Sequence, residues 1–170
     1  TLTNSGTISG ARSGLWNDST ITTLTNTGII KTVSGDFGLK NVNGTIGTLT
    51  NSGTISAGDD YGLYNDGTAT ITTLNNSGTI TATDDYGIEN RATITTLTNT
   101  GTISASGNSI GIRNNNGTII TLNNSQGASS TALTYNSKLP NNYNVIVNST
   151  SDFGKTTFSN VSGTTNFGVD

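Results

Sequence analysis

Apolar and polar residues alternate along this chain in a pattern that returns every 22 to 25 residues. Each unit is roughly T-L-x-N-[ST]-G-x-I, then a variable stretch, then G-[LI]-x-N, and then a short stretch that ends in Ile. A fixed period of this length is typical of repeat proteins, in which each unit stacks on the next. The T-L-x-N motif begins at six places: Thr1, Thr23, Thr48, Thr73, Thr96 and Thr121.

Within a unit the period is two, which indicates strands with one face turned inward. Leu49, Asn51, Gly53 and Ile55 alternate with Thr and Ser, so we predict one strand across this motif. The G-[LI]-x-N motif, with Leu63, predicts a second strand in the same way.

The last apolar position of the unit breaks this alternation. Ile71 precedes Leu74 by three residues, and this offset predicts a third short strand with a corner between the two residues. Three short strands and three turns in 22–25 residues describe one coil of a parallel β-solenoid, and we predict about five regular coils. A helical repeat is disfavoured, since Thr, Gly and Asn are poor helix formers and Thr favours strands.

Aligning the units gives four apolar columns that we predict to form the core. Coils stacked about 4.8 Å apart enclose a narrow interior, so four apolar residues per coil are enough to fill it. The columns are Leu2, Leu24, Leu49, Leu74, Leu97 and Leu122; Ile8, Ile30, Ile55, Ile80 and Ile103; Leu15, Leu39, Leu63, Ile88 and Ile112; and Ile21, Ile46, Ile71, Ile94 and Ile119.

Two columns of Asn accompany the core, and we predict a structural role for them. Asn bonds backbone groups at bends, and stacked side-chain amides can bond one another. The first column is Asn4, Asn26, Asn51, Asn76, Asn99 and Asn124; the second is Asn17, Asn41, Asn65, Asn90 and Asn114. An adjoining column of Gly, represented by Gly53, is expected at bends that need a positive φ.

Composition narrows the possible functions. Only 30 % of the residues are apolar and 10 % charged, yet the low net charge of −3 and the single Pro argue against disorder. Cys and His are absent, which excludes disulfides, thiolate or imidazole metal sites and Ser-His-Asp catalysis. Seven Lys and Arg are scattered among ten acids, so no basic patch for nucleic acid is present. We predict no cofactor and no resident metal.

The coils, of the form TLTNSGTISA…YGLYN…ATITTLNNSGTI, resemble the passenger domains of bacterial autotransporters. The tail NSKLPNNYNVIVNSTSDFGKTTFSNVSGTTNFGVD resembles the segment that follows the last regular coils in that family. The resemblance implies a single right-handed parallel β-helix, with regular coils over 1–127 and irregular coils of the same solenoid over 128–170. It also implies a translocator barrel in the full-length protein, beyond this chain, and a place on the surface of a Gram-negative bacterium, anchored in the outer membrane or secreted.

One outward column is less regular than its surroundings and is our first candidate for ligand binding. It consists of Trp16, Lys40, Tyr64, Glu89 and Arg113. Exposed aromatic residues at this column would anchor a partner, whereas cross-strand pairing of the charges is the structural alternative. Beside it, Phe37, Tyr61 and Tyr86 occupy equivalent places, and stacked rings favour packing over a sugar-binding surface.

The variable loop supplies the second candidates, Asp36, Asp60 and Asp85, which repeat once per coil. Paired carboxylates could hydrolyse a glycosidic bond, or the cluster could hold calcium. Repetition favours solvated turns over catalysis, and the calcium-binding nonapeptide G-G-x-G-x-D is absent.

We therefore predict a non-enzymatic stalk that adheres or self-associates through many weak contacts. The expected partners are host or bacterial surface molecules, or copies of the chain itself. Three alternatives stay open: a carbohydrate-active β-helix enzyme, an ice-binding solenoid that uses T-x-T pairs such as Thr48/Thr50, and a passive spacer.

Overall fold

The computed structural model describes residues 1–107, 110–127 and 130–170, and these residues form strands and turns without any helix. No element of this part of the chain therefore has the length and apolar character of a membrane-spanning helix. The strands are β1 (Leu2–Asn4), β2 (Thr7–Gly10), β3 (Ser13–Asn17), β4 (Thr20–Asn26), β5 (Ile29–Thr32), β6 (Phe37–Val42), β7 (Thr45–Asn51), β8 (Thr54–Ala57), β9 (Tyr61–Asp66), β10 (Thr70–Asn76), β11 (Thr79–Ala82), β12 (Tyr86–Asn90), β13 (Thr93–Asn99), β14 (Thr102–Ala105), β15 (Ile110–Asn114), β16 (Thr118–Asn124), β17 (Leu133–Lys138), β18 (Asn142–Val145), β19 (Thr156–Ser162) and β20 (Asn166–Val169).

These strands form three parallel sheets wound into a β-solenoid of about seven turns. The eight-stranded sheet has the order β1-β4-β7-β10-β13-β16-β18-β20, and the five-stranded sheet the order β14-β11-β8-β5-β2. The seven-stranded sheet has the order β19-β17-β15-β12-β9-β6-β3. The predicted all-β parallel solenoid is confirmed, but it has about seven turns where about five regular coils and an irregular C-terminal end were predicted.

The assignment of strands within a coil differs from the sequence prediction. Ile71 and Leu74 belong to the same strand, β10, and the pairing with both neighbouring strands skips the residue after Ile71. The corner therefore lies inside one strand rather than between two. Conversely, the motif of Leu49 and Ile55 is divided at Ser52 and Gly53 into β7 and β8.

The four predicted apolar columns form one continuous core. Leu24, Leu49, Leu74, Leu97 and Leu122 are fully buried, and each pairs with the next in register. The first members of three columns, Leu2, Ile8 and Ile21, are only partly buried because they lie in the first coil.

The Asn columns form two ladders of side-chain amides inside the solenoid. In the first ladder each Nδ2 donates to the Oδ1 of the next Asn, at 2.7–3.1 Å from Asn4 to Asn124. In the second ladder the corresponding distances from Asn17 to Asn114 are 2.7–2.9 Å. Asn76 shows the full pattern, since its Nδ2 also donates to the carbonyls of Gly78 and Thr102, both at 3.3 Å. Buried amides of this kind satisfy one another and the bends beside them.

The Gly column next to the first ladder has a different cause from the one predicted. Gly67, Gly127 and Gly163 are the described glycines with positive φ, and none of them belongs to this column. At Gly53 a Cβ would overlap the carbonyl oxygen of Gly28 in the preceding coil. The column is therefore required by close stacking of one coil on the next and not by backbone conformation.

The tail keeps the sheets but changes the cross-section. β17 and β19 extend the seven-stranded sheet and β18 and β20 extend the eight-stranded one, whereas the five-stranded sheet stops at β14. The Gln126 side chain lies beside β14, where its Oε1 accepts from the Ile103 N–H at 2.8 Å and its Nε2 donates to the Ile103 carbonyl at 3.3 Å. The amide thus replaces a neighbouring strand at this residue. The predicted boundary between 127 and 128 borders residues 128–129, which lie outside the described residues.

Substitution of Gly53 by Ala tests the role of coil stacking. The added methyl meets backbone, so we expect the free energy of unfolding in urea to fall by about 1–3 kcal/mol. Gly6 is the matched control, since it belongs to the same column but has no atom within 4 Å of its Cβ position. Gly6→Ala should be neutral or stabilise by up to about 1 kcal/mol, and equal losses in both variants would contradict the stacking explanation.

The Asn ladder is tested by two neighbouring residues of β10. Asn76 is buried and Asn75 is exposed. Asn76→Ala leaves the Asn51 donor and the Asn99 acceptor without their ladder partners, and we expect a loss of about 1–3 kcal/mol in thermal or urea unfolding. Asn75→Ala should change the stability by less than about 0.5 kcal/mol.

Candidate binding face on the seven-stranded sheet

The predicted outward column is brought together on one surface. The parallel register places Trp16, Lys40, Tyr64, Glu89 and Arg113 side by side on the outer face of β3, β6, β9, β12 and β15. We call this surface, with the side chains that cover it, the candidate face. At about 4.8 Å per coil it extends roughly 19 Å along the solenoid axis.

The expected exposure of this column is only partly correct. Trp16 is 56 % exposed, but Tyr64 is 8 % exposed and Glu89 is fully buried although it points away from the core. Both are covered by side chains of the same face, because long residues from neighbouring coils fold over them. The surface is therefore a packed second layer on the sheet and not a row of independent side chains.

Aromatic rings form the central part of this layer. The ring centroids of Phe37 and Tyr61 are 5.8 Å apart, and those of Tyr61 and Tyr86 are 6.0 Å apart with an angle of 6° between the rings. Tyr64 packs against the first two rings, with centroid distances of 5.0 Å to Phe37 and 5.2 Å to Tyr61. These rings pack against one another, in agreement with the packing interpretation.

The ammonium group of Lys40 lies among these rings. Its Nζ is 4.2 Å from the ring centroid of Trp16, 4.5 Å from that of Phe37 and 6.0 Å from that of Tyr64. These distances are within the range of cation–π attraction.

A buried carboxylate holds the other half of the face together. Glu89 Oε1 accepts from Arg91 Nε at 2.8 Å and from Asn115 Nδ2 at 3.2 Å. Glu89 Oε2 lies 3.9 Å from Arg113 Nε and has no hydrogen-bond partner among the described residues. Arg91 also donates to the hydroxyl of Tyr64 at 3.2 Å, so the network joins three successive coils. Removal of one member of such a buried pair is typically costly.

Sequence reasoning missed Arg91 and Asn115. Each follows a residue of the outward column by two positions and lies one residue beyond the end of β12 or β15. The period of two, continued by this one residue, places it on the same face. This spacing was available in the sequence. The sequence did not show that both side chains lie over Glu89, because each of them could equally have extended into solvent.

The phenol groups of Tyr61 and Tyr64 stay protonated well above neutral pH. Burial first, and then the 2.7 Å hydrogen bond to Asp66, raise the pKa of Tyr64 to about 12. Burial, and then the charge and hydrogen bond of Asp85, raise the pKa of Tyr61 above its ordinary value. At neutral pH the face therefore presents neutral hydroxyls beside its guanidinium and ammonium groups.

The predicted Asp residues form a ridge at the turn before each of these strands. Backbone bonds stack them, since Tyr61 N–H donates to the Asp36 carbonyl at 2.7 Å and Tyr86 N–H to the Asp60 carbonyl at 3.0 Å. Asp36 also pairs with Arg12, with 3.0 Å between Oδ2 and Nε. Burial first, and then the charges of Asp59, Asp36, Asp85 and Asp84, raise the pKa of Asp60 above its ordinary value of 3.8. No group of three or more acidic side chains in the described residues is arranged to hold a metal ion.

A cavity of about 430 Å³ lies elsewhere, beside β14. Its walls carry hydroxyl, amide and apolar side chains without any charge, including Thr102, Ile103, Gln126 and Thr131. None of the predicted site residues lines it. Comparison of this chain with protein-family models, with curated proteins and with solved structures finds no match in any of the three, so function must be inferred from the geometry of the chain itself.

The Asp ridge gives a prediction with a defined dependence on pH. Because the pKa of Asp60 is raised on folding, the ionised carboxylate is disfavoured in the folded state, and Asp60 reduces the stability at neutral pH. We expect Asp60→Asn to raise the melting temperature at pH 7. The gain should disappear below pH 3.8, where the carboxyl is protonated in both states. The part of the gain that comes from the neighbouring carboxylates should shrink at high salt.

Asp18, which is exposed and outside the ridge, provides the control substitution Asp18→Asn. Its effect at pH 7 should be smaller than that of Asp60→Asn. A lower melting temperature of Asp60→Asn at pH 7 would show that the carboxylate makes a favourable contact instead.

Proposed function

We propose that this chain is a right-handed segment of an autotransporter-type passenger stalk, which acts as a non-enzymatic adhesive or self-associating module on a Gram-negative cell surface. The observation that carries the proposal is the contrast between the candidate face and the outer surface of the eight-stranded sheet. That sheet repeats Thr and Asn from coil to coil, whereas the candidate face concentrates aromatic and charged side chains that differ from coil to coil.

The shape of the molecule supports contact over an extended surface. The core columns form one buried apolar cluster along the stacked coils, and the register sets the outward residues of the face in a row along the axis. Binding energy at protein interfaces is concentrated in aromatic and Arg residues, and Trp16, Arg91 and Arg113 supply both types at or near solvent. Several weak contacts on one stalk, and several stalks on one cell, add to a strong attachment through multivalency.

The test displays this chain on the surface of a bacterium that does not clump by itself. We expect display to increase cell–cell clumping or attachment to surfaces, and Trp16→Ser with Arg113→Ser to lower the effect by about tenfold or more, since multivalent attachment multiplies the loss at each site. The matched control is Thr25→Ser with Thr50→Ser on the eight-stranded sheet. Surface amounts of all variants are equalised with an antibody to a tag.

Each outcome decides between the proposal and an alternative. If clumping or attachment is lost with Trp16→Ser and Arg113→Ser together but not with the control pair, adhesion through the candidate face is supported. Equal effects of the face and control variants assign adhesion to another surface. Absence of any effect of the displayed chain contradicts the adhesive proposal and leaves the passive spacer among the alternatives.

A further inference from the structure

The surroundings of the Lys40 ammonium group have the form of a binding site. The register places Lys40 between Trp16 of the coil before and Tyr64 of the coil after. Phe37, three residues before Lys40, closes one side, and its ring centroid is 4.5 Å from Nζ. We call these three rings, Trp16, Phe37 and Tyr64, the aromatic cage.

Two walls of the cage are fixed and one is open. Phe37 and Tyr64 are 7 % and 8 % exposed and pack against each other. Trp16 is 56 % exposed, so the cage borders solvent on this side. A preformed wall of packed rings lowers the entropy cost of holding a ligand.

The cage offers its occupant ring faces but no hydrogen-bond acceptor. Lys40 Nζ has neither a hydrogen bond nor an ion pair with any of the described residues. The hydroxyl of Tyr64 donates to Asp66 and accepts from Arg91, so it is already engaged. A primary ammonium carries three N–H donors and is strongly hydrated, and here those donors gain nothing from the protein.

A quaternary ammonium fits such a site better than a primary one. It has a positive charge but no N–H group, so that it loses no hydrogen bonds when it enters a cage of ring faces. Attraction between such cations and the faces of Trp, Tyr and Phe is the established physical basis for binding them.

We propose that Trp16, Phe37 and Tyr64 form an ammonium-binding cage, that Lys40 fills it as a tethered internal occupant, and that its external ligand is a trimethylammonium group of the choline type. The inference rests on the proposed function, since it names the chemistry through which the candidate face contacts another surface. The external group must displace Lys40, and the apparent affinity is lowered by the fraction of molecules in which Lys40 occupies the cage.

Trp16 is the only tryptophan of the chain, so its fluorescence reports directly on the cage. The purified chain and Lys40→Ala are titrated with choline chloride, with sodium chloride at equal ionic strength as the blank. If Lys40 fills the cage nine-tenths of the time, its removal should tighten choline binding about tenfold. Lys31→Ala, a change of the same type on the five-stranded sheet, should leave the affinity unchanged. Ethanolamine, which carries a primary ammonium, should bind Lys40→Ala more weakly than choline does.

A second measurement keeps the proposal falsifiable if the Lys40→Ala cage collapses. In the unaltered chain, the ring currents of the cage should displace the NMR signal of the Lys40 ε-methylene protons. Choline should return this signal towards its position in a free lysine. Tyr64→Leu should abolish choline binding in the Lys40→Ala background. The proposal is overturned if choline leaves the Lys40 signal in place, if Lys40→Ala binds choline no more tightly than the unaltered chain, or if Tyr64→Leu makes no difference.

The source of the trimethylammonium group is distinguished by vesicles of phosphatidylcholine. If the chain co-sediments with the vesicles and Tyr64→Leu abolishes this, the cage binds a lipid headgroup. If the chain binds free choline but does not co-sediment, the ligand of the cage lies outside the bilayer. Co-sedimentation that Tyr64→Leu leaves intact contradicts a cage-mediated contact. Loss of clumping in the display experiment without choline binding would retain the adhesive function and reject only the cage.

Discussion

The parallel hydrogen bonding of each coil to the next is the interaction on which the rest of this structure depends. It fixes a spacing of about 4.8 Å and a register in which like residues lie on like, as in Leu49 on Leu24 and Asn51 on Asn26. A column of Leu then fills the interior, a column of Asn satisfies its own amides, and a column of Gly permits the close approach. Because every column serves the same stacking, a chain with only 30 % apolar residues builds a continuous core.

Stacking also explains how side chains that are distant in sequence come into contact on the outer surface of the solenoid. Equivalent outward positions of successive coils form a column of neighbours. Residues that are 24 or 25 apart in sequence therefore lie as close together as adjacent residues of one strand. Lys40 lies between Trp16 and Tyr64 in this way, and Glu89 lies under the guanidinium groups of two coils. The same geometry has a cost where the column repeats a charge: burial is the largest cause of the raised pKa of Asp60, and the carboxylates of the neighbouring coils raise it further. The candidate face differs from the ridge because its charges alternate with rings and with one another.

The two halves of the candidate face are stabilised by different kinds of interaction. Around Lys40 a cation is held by ring faces alone, whereas around Glu89 a carboxylate is held by charge-assisted hydrogen bonds. The second arrangement is closed and binds three coils to one another. The first is open on the side of Trp16 and contains an occupant that makes no hydrogen bond within the described residues. This difference is why the proposed ligand site is assigned to the cage and not to the buried carboxylate.

The sequence by itself determined the solenoid, its core columns and its outward column, because a repeat of 22–25 residues with period-two alternation is compatible with few other arrangements. It determined which residues share a face but not how deep they lie. Strand boundaries, the end of the five-stranded sheet at β14 and the steric cause of the Gly column required the structure, since bends and close contacts depend on neighbouring coils. Only the tertiary structure decided that Tyr64 and Glu89 are buried and that three rings surround Lys40. A long side chain has many directions to follow, and packing against the next coil selects one of them.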